Sequence, residues 1–155
     1  MLQRMPRRAL IGGLTGAWFG VRGAVAAQQA GKVESSRGEC YAQTAAARRA
    51  LAPAAELFVG DTVGTGEQSA LNLHLGTATQ VKLGPEARLR IDRFVVNAGG
   101  ILVLESGGMV YDHDPNADQG NVAVRVPFGL VAVRGTRFFA GPSNGVFGVF
   151  VARAW

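Results

Sequence analysis

Along most of the chain, apolar side chains recur at every second position. Leu71, Leu73 and Leu75 alternate with Asn72 and His74, Val81 and Leu83 flank Lys82, and Ala87, Leu89 and Ile91 alternate with Arg88 and Arg90. The clearest stretch runs from Asn121 to Ala140. There Val122, Val124 and Val126 form one alternating run, and Leu130 to Arg134 form a second before Phe138 and Phe139. A period of two in β-branched and apolar residues marks half-buried strands. Turn-forming groups separate the runs: Gly76-Thr77, Gly84-Pro85, Asn97-Ala98-Gly99-Gly100, Ser106-Gly107-Gly108 and Pro127-Phe128-Gly129. Upstream, Gly31 to Gly38 reads as a strand and a turn. In Glu56 to Thr65, Leu57 and Val59 flank Phe58, and Gly60-Asp61 breaks the run before Val63. A glycine there supplies positive φ, and the aspartate can accept from nearby backbone N–H groups.

One segment departs from this pattern. Ala42 to Ala55 holds eight alanines and is closed by Pro53-Ala54-Ala55. Its propensity is helical, but no apolar stripe at helical spacing accompanies it, so a short helix or a polar loop between strands is expected. Elsewhere the strands are short, about four to six residues, and return about every 8–12 residues. The fold class this predicts is all-β: a single domain of short strands in a sandwich, a jelly roll or a β-solenoid-like arrangement. No strict repeat length is present. Composition agrees: 22 of the 155 residues are glycine, about twice the usual share of roughly 7%.

The first residues stand apart. A basic opening ends at Arg7-Arg8, an apolar but glycine-rich run follows to Val21, and Ala24-Val25-Ala26 fits the small-residue pattern of a cleavage site. This is the plan of an export signal over residues 1–26, cut after Ala26 or next after Ala27. The run is about 13 residues, short of the roughly 20 that a spanning helix needs, so no stable membrane span is expected after cleavage. The adjacent arginines also suit the twin-arginine route. Four of the 16 Lys and Arg lie in this segment, which leaves 12 against 11 Asp and Glu, a net of +1 for the remainder of the +5 chain. That balance argues against a nucleic-acid-binding body. Arg88, Arg90 and Arg93 form a local basic cluster, read as the solvent face of a strand.

Candidate chemistry is sparse. Cys40 is the one cysteine, so it offers neither an internal disulfide nor a zinc site. His74 falls on the polar face of its strand without a second ligand at metal spacing. Asp112 to Asn121 gathers three aspartates, two asparagines and His113, but the calcium-loop spacing is absent, and a solvated loop is expected. Glu67, Glu86, Asp92 and Glu105 sit in no catalytic motif, and neither a nucleophile elbow nor a zinc-protease helix occurs. No catalytic, metal or cofactor site is expected, and a cell-wall hydrolase is disfavoured.

Several of these pieces together resemble the FecR domain, a bacterial periplasmic module. The resemblance rests on Gly60-Asp61-Thr62-Val63-Gly64-Thr65-Gly66, on Ala70 to Gly76, on Val81 to Pro85 and on Leu104 to Gly107. Its most specific part is Pro127-Phe128-Gly129 followed by Val133-Arg134-Gly135-Thr136-Arg137-Phe138. It covers roughly Gly31 to Val151. It implies an exported, non-enzymatic binding or signalling module in the periplasm, with another envelope protein or a cell-envelope polymer as partner. It also implies structural roles for Gly60, Asp61, Thr65, Gly66, Pro127, Gly129, Arg134, Gly135 and Thr136. Few residues precede the domain, so the cytoplasmic anti-sigma segment of the best-known members is not expected here. Last strands seen in the family are also expected to be missing, which leaves a truncated or degenerate structural domain as the alternative reading.

Overall fold

A computed structural model of the chain describes residues 28–95, 98–114, 116, 122–133 and 137–153. The expected export segment 1–26, with Ala24 and Ala26, lies outside the described residues, as do the alternative cleavage site Ala27 and the motif residues Arg134, Gly135 and Thr136. Fourteen strands fill most of the rest: β1 (Gln29–Arg37), β2 (Cys40–Gln43), β3 (Arg48–Ala50), β4 (Glu56–Phe58), β5 (Thr62–Thr65), β6 (Ala70–Leu75), β7 (Thr79–Leu83), β8 (Arg88–Val95), β9 (Gly99–Ser106), β10 (Met109–His113), β11 (Val122–Val126), β12 (Gly129–Val133), β13 (Arg137–Ser143) and β14 (Val146–Arg153). No helix among the described residues is long and apolar enough to cross a membrane.

The strands form two sheets of seven. One runs β14-β13-β10-β7-β6-β1-β4, the other β12-β11-β9-β8-β5-β2-β3. Of the arrangements that the strand spacing allows, the chain therefore adopts the two-layer sandwich. Among the described ladders only β9 with β11 is parallel; stacked solenoid rungs would have been parallel throughout. The inward positions are those of the alternating pattern. Leu71, Leu73, Leu75, Val81 and Leu83 come from the first sheet, and Leu89, Ile91, Leu102, Leu104, Val122 and Val124 from the second. All are buried, with Met109, Tyr111 and Phe138 completing the core between the layers. Burying each such side chain is worth roughly 1.5–3 kcal/mol, which is what holds two sheets face to face.

Two expectations need correction. The alanine-rich segment is not a helix, and its first part is not a loop: β2 and β3 form an antiparallel hairpin with Tyr41 opposite Ala50 and Gln43 opposite Arg48, and residues 51–55 form the loop that follows. Its turn is closed by the Thr44 N–H donating to the Ala47 carbonyl. Ala42 is an inward, fully buried position, and sheet pairing overrides a weak helical propensity. His113 is likewise not in a solvated loop. It is the last residue of β10, and its side chain is buried. The remainder of the acidic stretch, apart from Asp114 and Asn116, lies outside the described residues.

Candidate functional site

The two ends of the sandwich differ. At one end lie the edge strands β3 and β4, each three residues long. Between them Asp61 is buried, and its carboxylate accepts from both Arg49 amino groups, at 3.2 Å for Oδ1 and 2.7 Å for Oδ2. Oδ2 also accepts from the Phe58 N–H at 2.9 Å, and Arg49 donates on to the Glu56 carbonyl at 2.9 Å. The hydrogen bond to Asp61 raises the Arg49 pKa further above its ordinary value. Gly60 precedes at φ +99° with open space where a side chain would be, so its backbone conformation is what the turn requires. This Gly60-Asp61 turn does not fold β4 back on β5; it carries the chain from one sheet to the other. The aspartate capping read in the sequence is present. Its arginine partner, on the strand expected to be helix or loop, was not.

The neighbouring motif residues also hold turns. The buried Thr65 hydroxyl donates to the Gly84 carbonyl at 2.6 Å and accepts from the Ala87 N–H at 2.9 Å, which fixes the Gly84-Pro85 turn between β7 and β8. Gly66 donates from its N–H to the Glu39 carbonyl and accepts from the Glu86 N–H. At Gly64 a side chain would meet the Tyr41 ring, which lies directly over it across the β2–β5 ladder. Cys40 is buried at the start of β2, its thiol near the Ala70 carbonyl at 3.3 Å, and burial pushes its pKa up. That is a packed thiol, not a reactive one.

The other end of the sandwich is formed by β12 and β14, the last strand of each sheet. Pro127-Phe128 is a two-residue turn, with Val126 opposite Gly129. It carries the Phe128 ring across to β14, where it meets Phe147 edge-on at 5.4 Å between centroids. Phe128, Leu130, Val146, Phe150 and Val151 are all more than half exposed. Among the described residues the one other exposed large apolar side chain is Val95. The eight residues of β14 contain no ionisable side chain before Arg153. Leu130 and Phe150 stand on the outer faces of their sheets, and Val151 on the inner face, where the layers no longer cover it.

The ionisable groups singled out in the sequence do not converge. His74 is half-buried on the outer face of β6, opposite Lys32 and Gln80. It borders a shallow groove of about 480 Å³ lined by β1 residues from Gln29 to Glu34. His113 Nδ1 and Thr79 Oγ1 share a hydrogen bond of 2.7 Å, and its ring stacks on Tyr111, which stacks in turn on Phe138. Burial lowers the His113 pKa and pushes the Tyr111 phenol up to about 12. Arg88 and Arg90 share Glu105 at 3.5 Å each, and Arg90 reaches Asp92 at 3.7 Å, so this cluster is a mixed-charge surface rather than a basic patch.

The family model described as FecR protein matches residues 61–153. The match takes in the Gly60-Asp61 crossing from its second residue and extends through the open end to β14. The strands before it, β1 to β4, are hydrogen-bonded into the same two sheets. No curated protein matches the chain, and no solved structure does.

Proposed function

The chain belongs to the FecR family, and from that premise we propose that it works as an exported, non-enzymatic docking module of the periplasm that binds an envelope protein as part of a signalling system. Family membership supports the coarse part of this reading, a signalling-related periplasmic domain. Export rests on the basic, glycine-rich stretch 1–26 and its Ala24-Val25-Ala26 ending. The absence of catalysis is favoured by the dispersal of the ionisable groups. His113 is engaged with Thr79, Glu105 and Asp92 are engaged with arginines, and His74 lies on an outer strand face opposite Lys32 and Gln80, away from these groups.

The observation that carries the proposal is the contrast between the two ends. Soluble sheet proteins blunt their edges with short strands and charged side chains. At the Arg49–Asp61 end both devices are present. At the β12–β14 end the strands are longer and the one charged side chain, Arg153, stands at the last position of β14, and the apolar side chains left there are those that a docked strand or apolar face would cover. The test is photo-crosslinking in living cells, with the crosslinking residue placed at Leu130 and, as control, at Arg48 on the blunted end. Adducts to an envelope protein are expected from Leu130 alone. No adduct at Leu130, or the same adducts from Arg48, would overturn the proposal.

A further inference from the structure

We infer that the occupant of the open end is a second copy of this chain, joined about a two-fold axis normal to the sheets, with β14 pairing antiparallel to the partner copy's β14. The inference rests on reading the open end as a docking surface, and it names what docks there.

Four observations lead to it. First, both layers end on the same side of the molecule, since β14 and β12 are the last strands of their sheets and Phe147 of β14 meets Phe128 in the turn that leads into β12. A two-fold axis normal to the layers brings like edge to like edge in both sheets at once. A single peptide strand would cover only one of them.

Second, β14 is self-complementary. With Val149 on the axis, Phe150 falls opposite Gly148 of the other copy, twice over, on the outer face that Phe150 already shares with Phe139. The chain uses this same pairing internally, where Tyr41 covers Gly64 between β2 and β5. An aromatic ring over a cross-strand glycine restores the packing that glycine lacks.

Third, charge permits the approach. The chain carries +5 overall, yet neither β12 nor β14 up to Ala152 holds an ionisable side chain. In this register the two Arg153 residues lie at opposite ends of the new ladder, each opposite Gly145.

Fourth, the area is of the right order. Phe128, Leu130, Val146, Phe150 and Val151 are 57–68% exposed. Together they present on the order of 500 Å² of apolar surface. It is divided between the two edge strands, with Leu130 and Phe150 on the outer faces of different sheets, so each copy brings apolar surface to both edges. With the strand backbone and the half-buried Phe147 and Val149 added, it approaches the roughly 800 Å² per partner of a standard interface.

The test is sedimentation equilibrium of protein purified from cells expressing the full chain, beside Phe150→Lys and Gly148→Val. The native protein is expected to sediment as two chains. Each substitution enters the interface twice, so each is expected to raise the dissociation constant about a hundredfold or more. Circular dichroism and thermal unfolding confirm that each variant keeps its strands. A second measurement does not depend on loss of binding. In a Cys40→Ala background, Val149→Cys is expected to form an intermolecular disulfide on mild oxidation, because Cα atoms directly opposite in an antiparallel ladder lie about 4.5–5.5 Å apart, within disulfide reach. Val146→Cys, three residues off the axis, is not expected to form one. A single-chain mass at every concentration, a mass that keeps growing past two chains, or equal crosslinking from both cysteines would overturn the inference. If the purified protein is a single chain while Leu130 still captures a different envelope protein in cells, the second copy is refuted and the docking reading stands.

Discussion

Asp61 is a carboxylate held almost out of water, and it accepts three hydrogen bonds, two of them from Arg49. Removing it leaves the Phe58 N–H and a half-exposed guanidinium without their acceptor. Asp61→Ala is therefore expected to lower stability by about 1.5–3 kcal/mol in urea unfolding, the range for charged hydrogen bonds; an unchanged midpoint would show the clamp to be idle. His113 makes a pH-dependent prediction. Burial, the largest influence, holds its pKa below 6.5, with Asp114 and Asp112 opposing. Between that lowered folded value and 6.5 the unfolded chain takes up a proton that the folded chain does not, so stability falls as pH drops through about 6.5. Unfolding midpoints should decline more steeply over this window in the native protein than in His113→Gln, and parallel curves would refute the assignment. At this scale the sequence disclosed Gly60 and Asp61 well, because a positive-φ turn with a capping aspartate has a local signature. It did not disclose Arg49 or Thr79, because their partners lie 12 and 34 residues away, and nothing local marks such pairs.

At the scale of elements, alternation told which side chains face inward but not which layer each strand joins. Leu71 to Leu83 was legible as a hairpin, and β6 and β7 pair as one, Leu71 opposite Leu83. Gly60-Asp61 and Ser106-Gly107-Gly108 look like the same kind of turn, yet each carries the chain across to the other sheet. A turn sequence fixes a local reversal of direction, whereas the choice of layer depends on which edge is free when the strand arrives. The Pro127-Phe128 turn does more than connect β11 to β12, since its aromatic ring braces β14 across the gap between the sheets. Phe128→Ala should cost only about 1 kcal/mol, given the exposure of that ring and the usual worth of an aromatic pair. Its local effect should be larger. In hydrogen exchange, amides of β12 and β14 should lose protection ahead of β6 to β9, which lie inside their sheets. Uniform loss across all strands would contradict this brace.

Across the whole molecule, one core runs between the layers from Ala30 to Ala140. All-β class and strand spacing were readable from period-two alternation and glycine breakers. The difference between the two ends was not, because edge position is a property of the assembled sheets. A shared core predicts a single cooperative unfolding transition, with circular dichroism and calorimetry giving the same midpoint; separate transitions for the residues before and after 60 would refute it. The strand order has one more consequence. Apart from local exchanges of β1 with β4 and β2 with β3, both sheets are laid down in the order of the sequence, from the Arg49–Asp61 end toward β12 and β14. A chain made or threaded from its amino terminus thus presents each emerging segment with a template already in place. The long-range closures that slow most β topologies are met one strand at a time, each new strand joining one already paired. The parallel β9–β11 ladder forms after β10 has crossed to the far layer and the chain has returned, and the β5–β8, β7–β10 and β10–β13 ladders likewise follow an excursion to the other layer.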